Sequence, residues 1–333
     1  MSASTVTPRS MRNAAAPTPA PVRSASLGIA IVLGSAALFG MLGPLARFAY
    51  AAGMEPLSFV AWRAGFGLAG LALFAAWRVH RSGIAFVRPW RLSRRGRVSL
   101  LVAALAGFTL NLAMFMAFDR ITVALALLGF YTYPALVAAA AVALGRERLD
   151  RSRAVALALA VGGMLLVVAS QLDAAAGIRL DALGLGLAFG AAVSQTVFVL
   201  VSRDGYRELP VEQAIAVVML VTIICSTVLA ASVGAPGALS LPLREPGVLP
   251  LLAFTGIFAA AIPSLGFLSG IRAIGGMRAG ILMLFEPVVG VVLAAWLLAE
   301  TLRPIQLVGA AAILLAAMVL QRTARGASTT GHP

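Results

Sequence analysis

The chain has 333 residues, of which 61% are hydrophobic and 11% charged, and its mean hydropathy is +0.97. A soluble domain carries about 25% charged residues, so this composition excludes a soluble fold and indicates that lipid surrounds the protein. All 26 basic residues are arginine, and a chain without lysine cannot perform P-loop hydrolysis of ATP or Schiff-base chemistry.

The first 26 residues are rich in Ala, Pro, Ser and Thr without an apolar run, which predicts a disordered cytoplasmic tail over 1–26. Ten apolar stretches follow, each close to the roughly 20 residues that a helix needs to cross a bilayer. They lack the period-two alternation of membrane-barrel strands. The sequence therefore predicts an all-α integral membrane protein with ten transmembrane helices. The predicted spans are 27–47, 56–77, 98–118, 122–144, 153–170, 183–202, 213–233, 248–270, 276–298 and 304–321.

The fourth and ninth spans carry an internal repeat. PALVAAAAVALGRE (134–147) and PVVGVVLAAWLLAE (287–300) both open on proline and close on glutamate, and they lie 153 residues apart. This offset contains five spans, and because five is odd, the second copy crosses the membrane in the opposite direction. We therefore expect two inverted five-helix repeats. The predicted segments are a first repeat over 27–170, an external linker over 171–182, a second repeat over 183–321 and a cytoplasmic tail over 322–333.

The placement of arginine predicts the orientation of the chain. The loop 145–153 has four arginines, whereas its repeat partner 298–306 has one. Because positive residues concentrate on the cytoplasmic side, we expect a multi-pass protein of the bacterial inner membrane with both termini in the cytoplasm. We attribute the formal net charge of +14 to this topology and expect no nucleic-acid partner.

Two charged residues, Arg63 and Glu286, lie deep within predicted spans, where ionisable groups are rare and informative. Arg63 lies in the second span and Glu286 in the ninth, at depths that differ by only about 5 Å. In one interpretation the two side chains neutralise each other and have a structural role. In the other, at least one of them faces a water-filled cavity and binds substrate or a proton. Both interpretations remain open from the sequence.

Prolines interrupt the fourth and ninth spans at matched positions. Pro134 follows Tyr131 and Tyr133, and Pro287 follows Glu286, which is the repeat partner of Tyr133. A proline removes one helical hydrogen bond, and paired helix breaks in inverted halves indicate a transporter site. The alternative is that these prolines reflect only the frequency of proline in membrane helices.

Four uncharged polar residues also lie at mid-span. Asn111 in the third span matches Ser264 in the eighth, and Ser194 and Gln195 lie in the sixth. They are candidates for substrate binding or for hydrogen bonds between helices. The small-residue spacings GLAFG (186–190), GFLSG (266–270) and GMRAG (276–280) predict close helix packing.

The residues needed for catalysis are missing from the membrane. Both histidines and all five aspartates lie outside the predicted spans, and the chain has one cysteine. Intramembrane proteolysis, haem ligation and a membrane-embedded metal site all need such residues at depth. We therefore expect no enzyme activity, no cofactor and no bound metal.

With two five-helix repeats, the doubled Pro-to-Glu block and Arg63 in AWRAGFGLAGLALF, the chain resembles the drug/metabolite transporter superfamily, in its ten-helix EamA branch. The resemblance covers about residues 27 to 321. It implies inverted halves around a central cavity, with both termini cytoplasmic, and movement of small metabolites without ATP. Glu147 and Glu300 fall on the family's glutamate, and their position close to loops predicts a structural, helix-end role.

We therefore expect a secondary active transporter that works by alternating access and exports amino acids or related metabolites. Protons are the expected coupling ion, with Glu286 as their carrier, and Arg63 is a candidate for a substrate carboxylate. The other expected partners are the bilayer and a small-molecule substrate, and the protein is expected as a monomer or homodimer. Drug efflux, metabolite uptake, a membrane scaffold or sensor without flux, and a membrane-embedded transferase are alternatives.

Overall fold

The protein is helical throughout the part of the chain that its computed structural model describes. That part comprises residues 22–82, 91–121, 123–146, 148–169, 181–235, 237–298 and 303–329, and it contains no β-strand. Eight helices are long and apolar enough to cross a bilayer, and Pro304–Leu320 is a shorter apolar helix. Together with the interrupted ninth span, they confirm the predicted all-α membrane protein of ten spans in two five-helix repeats. Glu147 and Glu300 lie outside the described residues.

The first half contains seven helices in five spans, because two spans are divided. They are α1 (Val22–Phe39), α2 (Leu42–Ala51), α3 (Pro56–Ser82), α4 (Arg94–Arg120), α5 (Val123–Phe130), α6 (Tyr133–Ala143) and α7 (Arg151–Ala169). The first span comprises α1 and α2, and the fourth comprises α5 and α6. Helix α1 begins at Val22, so the last five residues of the predicted tail 1–26 belong to this helix.

The second half has a similar organisation, with a short additional helix before the eighth span. Its helices are α8 (Ala182–Ser202), α9 (Val211–Val233), α10 (Leu241–Arg244), α11 (Val248–Gly256), α12 (Ile262–Ile274), α13 (Gly276–Met283), α14 (Glu286–Leu298) and α15 (Pro304–Thr329). A π-helical turn, Ile257–Ala261, joins α11 to α12 within the eighth span. Helices α13 and α14 form the ninth span and begin 153 residues after α5 and α6. Helix α15 continues past residue 321 into the predicted tail.

The two halves interleave in the bundle. Helix α7 packs on α15 and α3 on α9, so each pair joins equivalent spans of the two repeats. Helix α4, the third span of the first repeat, packs on α8, the first span of the second repeat. The symmetry-related pair, α12 of the second repeat and α1 of the first, is also in contact. This pattern is what a twofold relation between inverted halves requires.

Small residues allow the closest of these contacts. A Cβ atom on Gly163 of α7 would lie 2.5 Å from the Gly309 carbonyl oxygen of α15, and the reverse distance is also 2.5 Å. Added Cβ atoms on Gly266 and Gly270 would lie 2.1 Å from side chains of α1. The packing predicted for GFLSG is therefore confirmed. That predicted for GLAFG is wrong, because a Cβ on Gly186 or Gly190 would meet no described atom within 4 Å.

Candidate functional site

The fourth and ninth spans are interrupted at the same place in the two halves. Helix α5 ends at Phe130 and α6 begins at Tyr133, while α13 ends at Met283 and α14 begins at Glu286. Pro134 and Pro287 are each the second residue of the helix that follows. Neither has an N–H group, so the carbonyls of Phe130 and Met283 lack their usual helical donor. Both breaks therefore lack one helical hydrogen bond at mid-span.

Glu286 lies at one of these breaks, together with two buried tyrosines. Its side chain is half-buried, and the carboxyl group interacts electrostatically with the hydroxyls of Tyr131 and Tyr133. The Tyr131 hydroxyl faces the carboxyl group but does not reach good hydrogen-bond geometry with it. Tyr133 donates a long hydrogen bond, 3.5 Å, to the Gly280 carbonyl of α13. The two matched breaks are thus in contact through tyrosine side chains.

The break in the first span lies close to the start of α14, where Glu286 is located. Residues Gly40 and Met41 separate α1 from α2. A Cβ atom on Gly40 would lie 2.8 Å from the Glu286 carbonyl oxygen and 3.3 Å from the Gly290 nitrogen. Glycine at this position lets the backbone of α1 approach the start of α14. Interruptions of the first, fourth and ninth spans therefore converge near Glu286.

Arg63 belongs to a separate polar cluster formed by α2, α3 and α4. Its side chain is only 4% exposed, and Nη2 donates a hydrogen bond to Oδ1 of Asn111. Asn111 Nδ2 in turn donates to the Gly107 carbonyl at 2.7 Å. The guanidinium carbon lies 5.1 Å from the centre of the Phe115 ring. Among the described residues no ion pair joins Arg63 to Glu286, so the structure does not support mutual neutralisation.

Tyr50, at the end of α2, is part of the Arg63 cluster and was not a sequence candidate. It interacts electrostatically with Arg63, and its buried hydroxyl has no hydrogen-bond partner among the described residues. Its ring is 5.8 Å from that of Phe59, which is 5.2 Å from that of Phe115. The one available signal was that the chain has only four tyrosines, and that Tyr50 lies three residues after the first predicted span, 27–47.

The other predicted site residues lie elsewhere in the bundle. Gln195 on α8 is 7% exposed, and its Oε1 atom is buried without a partner among the described residues. Ser194 and Ser264 are half-buried, and Ser264 follows the π-helical turn Ile257–Ala261. No hydrogen bond or ion pair in the described ranges links these three residues to Glu286 or Arg63. Pro263, the second residue of α12, follows this turn.

Polar contacts hold the helix ends at both faces of the bundle. At the predicted outer face, Arg120 Nε lies 2.5 Å from Asp181 Oδ2, and this hydrogen bond lowers the pKa of Asp181. At the opposite face, Arg272 donates to the carbonyls of Leu209 (2.8 Å) and Tyr206 (3.2 Å). Burial raises the pKa of Tyr206, whose hydroxyl lies 2.5 Å from Ser202 Oγ. Arginine thus fixes the loop between α8 and α9 to the end of α12.

Comparison with known proteins gives consistent results for both halves. The sequence model of the EamA-like transporter family matches residues 26–169 and again residues 182–322. The threonine/homoserine exporter RhtA of Escherichia coli strain K12 is 28% identical over 248 residues, which are 73% of this chain and 78% of that protein. The same exporter in strain O157:H7 matches equally.

One solved crystal structure shares the fold, with a TM-score of 0.71 at 18% sequence identity. The match covers 92% of this chain and 99% of the other. At this identity the similarity shows the fold alone. The two tandem family matches cover most of the sequence, one in each half of the interleaved bundle, and this protein therefore belongs to the EamA-like transporter family.

Proposed function

We propose that this membrane transporter exports amino acids or closely related metabolites by alternating access, and that the proton gradient drives it. The observation that carries the proposal is the half-buried carboxyl group of Glu286 at the place where matched helix breaks converge. In carriers built from inverted repeats, substrate and coupling-ion sites lie at such interrupted helices.

Alternating access follows from the relation between the halves. Each half contributes an interrupted helix at a matched position in the middle of the bundle, and Tyr133 of α6 bonds to the Gly280 carbonyl of α13 across this boundary. Irregular backbone at membrane depth is tolerated where it is buried in protein or lines a cavity. A rocking motion of one half against the other would expose this region to each side in turn.

Glu286 is the proposed proton carrier because no other carboxyl group of the sequence lies in the middle of a predicted span. A charged carboxylate is energetically unfavourable at this depth. The protonated carboxyl group is neutral and is therefore compatible with a conformation of the bundle that is closed to water on both sides. Competition between a proton and the substrate for this region would couple proton entry to export. The hydroxyl groups of Tyr131 and Tyr133 interact electrostatically with this carboxyl group.

The relative RhtA supports the class of cargo. Its name gives threonine and homoserine as exported compounds, and the match covers most of both chains at 28% identity. Small amino acids with an additional hydroxyl group are therefore the first substrates to test. The few polar side chains in the spans are consistent with a small cargo.

The experiment that tests the proposal uses purified protein in lipid vesicles with labelled L-threonine or L-homoserine. We expect an imposed proton gradient to drive movement of the label against its concentration gradient, and a protonophore to abolish it. Vesicles without protein are the control. Absence of movement for a panel of labelled amino acids would remove the amino-acid assignment, and movement insensitive to the protonophore would remove proton coupling.

A further inference from the structure

Arg63 is a buried cation that lacks a counter-ion among the described residues. Its side chain is 4% exposed, and the one side chain that accepts its hydrogen bond, Asn111, is a neutral amide. A guanidinium cannot lose its charge in a protein, and a buried charge is strongly destabilising without an anionic partner. The site is therefore electrostatically incomplete as it stands in this structure.

The hydrogen-bonding capacity of Arg63 is also incomplete. Nη2 is bonded to Asn111, but Nε is buried without an acceptor among the described residues. The amide of Asn111 is fixed by its 2.7 Å bond to the Gly107 carbonyl, so its oxygen points at the guanidinium. A guanidinium edge with free N–H groups matches the planar, bidentate geometry of a carboxylate.

Tyr50 adds a second unused donor to the cluster. Its hydroxyl is buried, without a partner in the described ranges, and close enough to interact electrostatically with Arg63. A phenolic O–H and a guanidinium N–H are both donors suited to a carboxylate. The Phe59 ring contacts Tyr50, and the Phe115 ring contacts both Phe59 and the Arg63 guanidinium.

Close backbone packing holds Arg63 in this position. A Cβ atom on Gly256 of α11 would lie 2.4 Å from the Arg63 carbonyl oxygen, and one on Gly67 would lie 2.9 Å from the Gly256 carbonyl oxygen. The π-helical turn begins directly after Gly256, and such turns occur frequently at functional sites. The repeat partner of Arg63 is Ala216, so the second half has no equivalent cation.

We propose that Arg63, Asn111 and Tyr50 form a subsite for the carboxylate group of the substrate, present in the first half of the chain only. This inference rests on the proposed function for the class of cargo, and it assigns Arg63 and Glu286 to different tasks. The substrate anion completes the Arg63 site, while Glu286 remains available for the coupling proton. Compounds without a carboxylate are consequently poor ligands.

The test measures binding to the full-length protein in detergent by titration calorimetry, with L-threonine and L-threoninol as probes. The alcohol differs from the amino acid only in having CH2OH in place of the carboxylate. We expect the wild type to prefer L-threonine by about tenfold or more, since a charge-assisted bidentate contact is lost with the alcohol. Arg63→Gln should abolish this preference, Tyr50→Phe should reduce it, and the exposed Arg97→Gln should not change it.

Asn111→Asp keeps the test decisive if Arg63→Gln does not fold. This substitution places a carboxylate beside the guanidinium, so the variant should unfold at a temperature no lower than the wild type. It should nevertheless lose the preference for L-threonine, because its own carboxylate occupies the site. An unchanged preference in the folded Asn111→Asp protein overturns the inference.

Failure of the subsite and failure of the proposed function give different results. Threonine flux with an unaltered half-saturating concentration in Asn111→Asp overturns the subsite and leaves amino-acid export intact. The opposite result is a protein that moves no amino acid but binds L-lactate in preference to 1,2-propanediol, with a preference that depends on Arg63. That result supports the carboxylate subsite and excludes amino acids as the cargo.

Discussion

Tyr133 and Glu286 occupy equivalent positions in the two halves, and each is the first residue of the helix that follows a break. One position holds an uncharged phenol and the other a carboxyl group, so the two repeats have the same backbone geometry with different chemistry. Their side chains interact electrostatically across the boundary between the halves. Asymmetry between the repeats thus gives the middle of the bundle one titratable carboxyl group.

The first prediction concerns Glu286. Glu286→Gln keeps the shape of the side chain but cannot exchange a proton, so proton-driven accumulation of threonine should be lost. Exchange of internal for external threonine needs no proton and should remain. Both are measured in the same vesicles. The exposed Glu208→Gln is the matched control, and uphill accumulation by Glu286→Gln would contradict the role.

The second prediction separates the ring of Tyr133 from its hydroxyl group. The ring is 1% exposed, whereas the hydroxyl makes only a 3.5 Å hydrogen bond to the Gly280 carbonyl. Tyr133→Phe should therefore destabilise the protein by about 1 kcal/mol or less. Tyr133→Ala removes a fully packed ring and should cost about 3–5 kcal/mol. Denaturant titration in detergent measures both values, and equal losses would show that the hydroxyl dominates.

The third prediction concerns the contact between α7 and α15. Gly163→Ala would place a methyl group 2.5 Å from the Gly309 carbonyl oxygen and must separate the helices. We expect a loss of about 1–3 kcal/mol, as for other overpacked sites. The neighbouring Gly162 has no described atom within 4 Å of its added Cβ, so Gly162→Ala should be neutral or stabilising. A lower unfolding temperature for Gly162→Ala than for Gly163→Ala would disprove this packing.

The fourth prediction concerns the loop between α8 and α9. Arg272→Gln removes the donors to Leu209 and Tyr206, so the loop 203–210 should open and become accessible to trypsin at Arg207. Cleavage is measured in inside-out membrane vesicles, because the loop is predicted to face the cytoplasm. The exposed Arg97→Gln serves as the control for loss of an arginine. Equal cleavage of Arg272→Gln and wild-type protein would show that other contacts hold the loop.

The spans and the breaks at Pro134 and Pro287 were predictable from the sequence because both depend on local patterns. Length and hydropathy define a helix in lipid, and a proline at a fixed offset of 153 residues marks the break in each copy. The predicted bounds of the ninth span, 276–298, coincide with those of α13 and α14. The repeat also established that the halves are inverted.

The neighbours of Arg63 were not predictable in the same way. Depth along a span can be counted from the sequence, and it placed Arg63 near the level of Glu286. Which helices lie side by side is a property of the whole bundle, and the structure pairs Arg63 with Asn111 and Tyr50 instead. The π-helical turn after Gly256 packs against α3 and ends two residues before Pro263.

The interleaving of α4 on α8 and of α1 on α12 has a consequence for the origin of the chain. A single five-helix unit would leave uncovered, in lipid, the faces that its twin now covers. An ancestor of that size is therefore expected to have associated as an antiparallel pair, which requires one gene product to insert in both directions. Fusion of two copies would have fixed the two orientations and freed each copy to acquire its own charges.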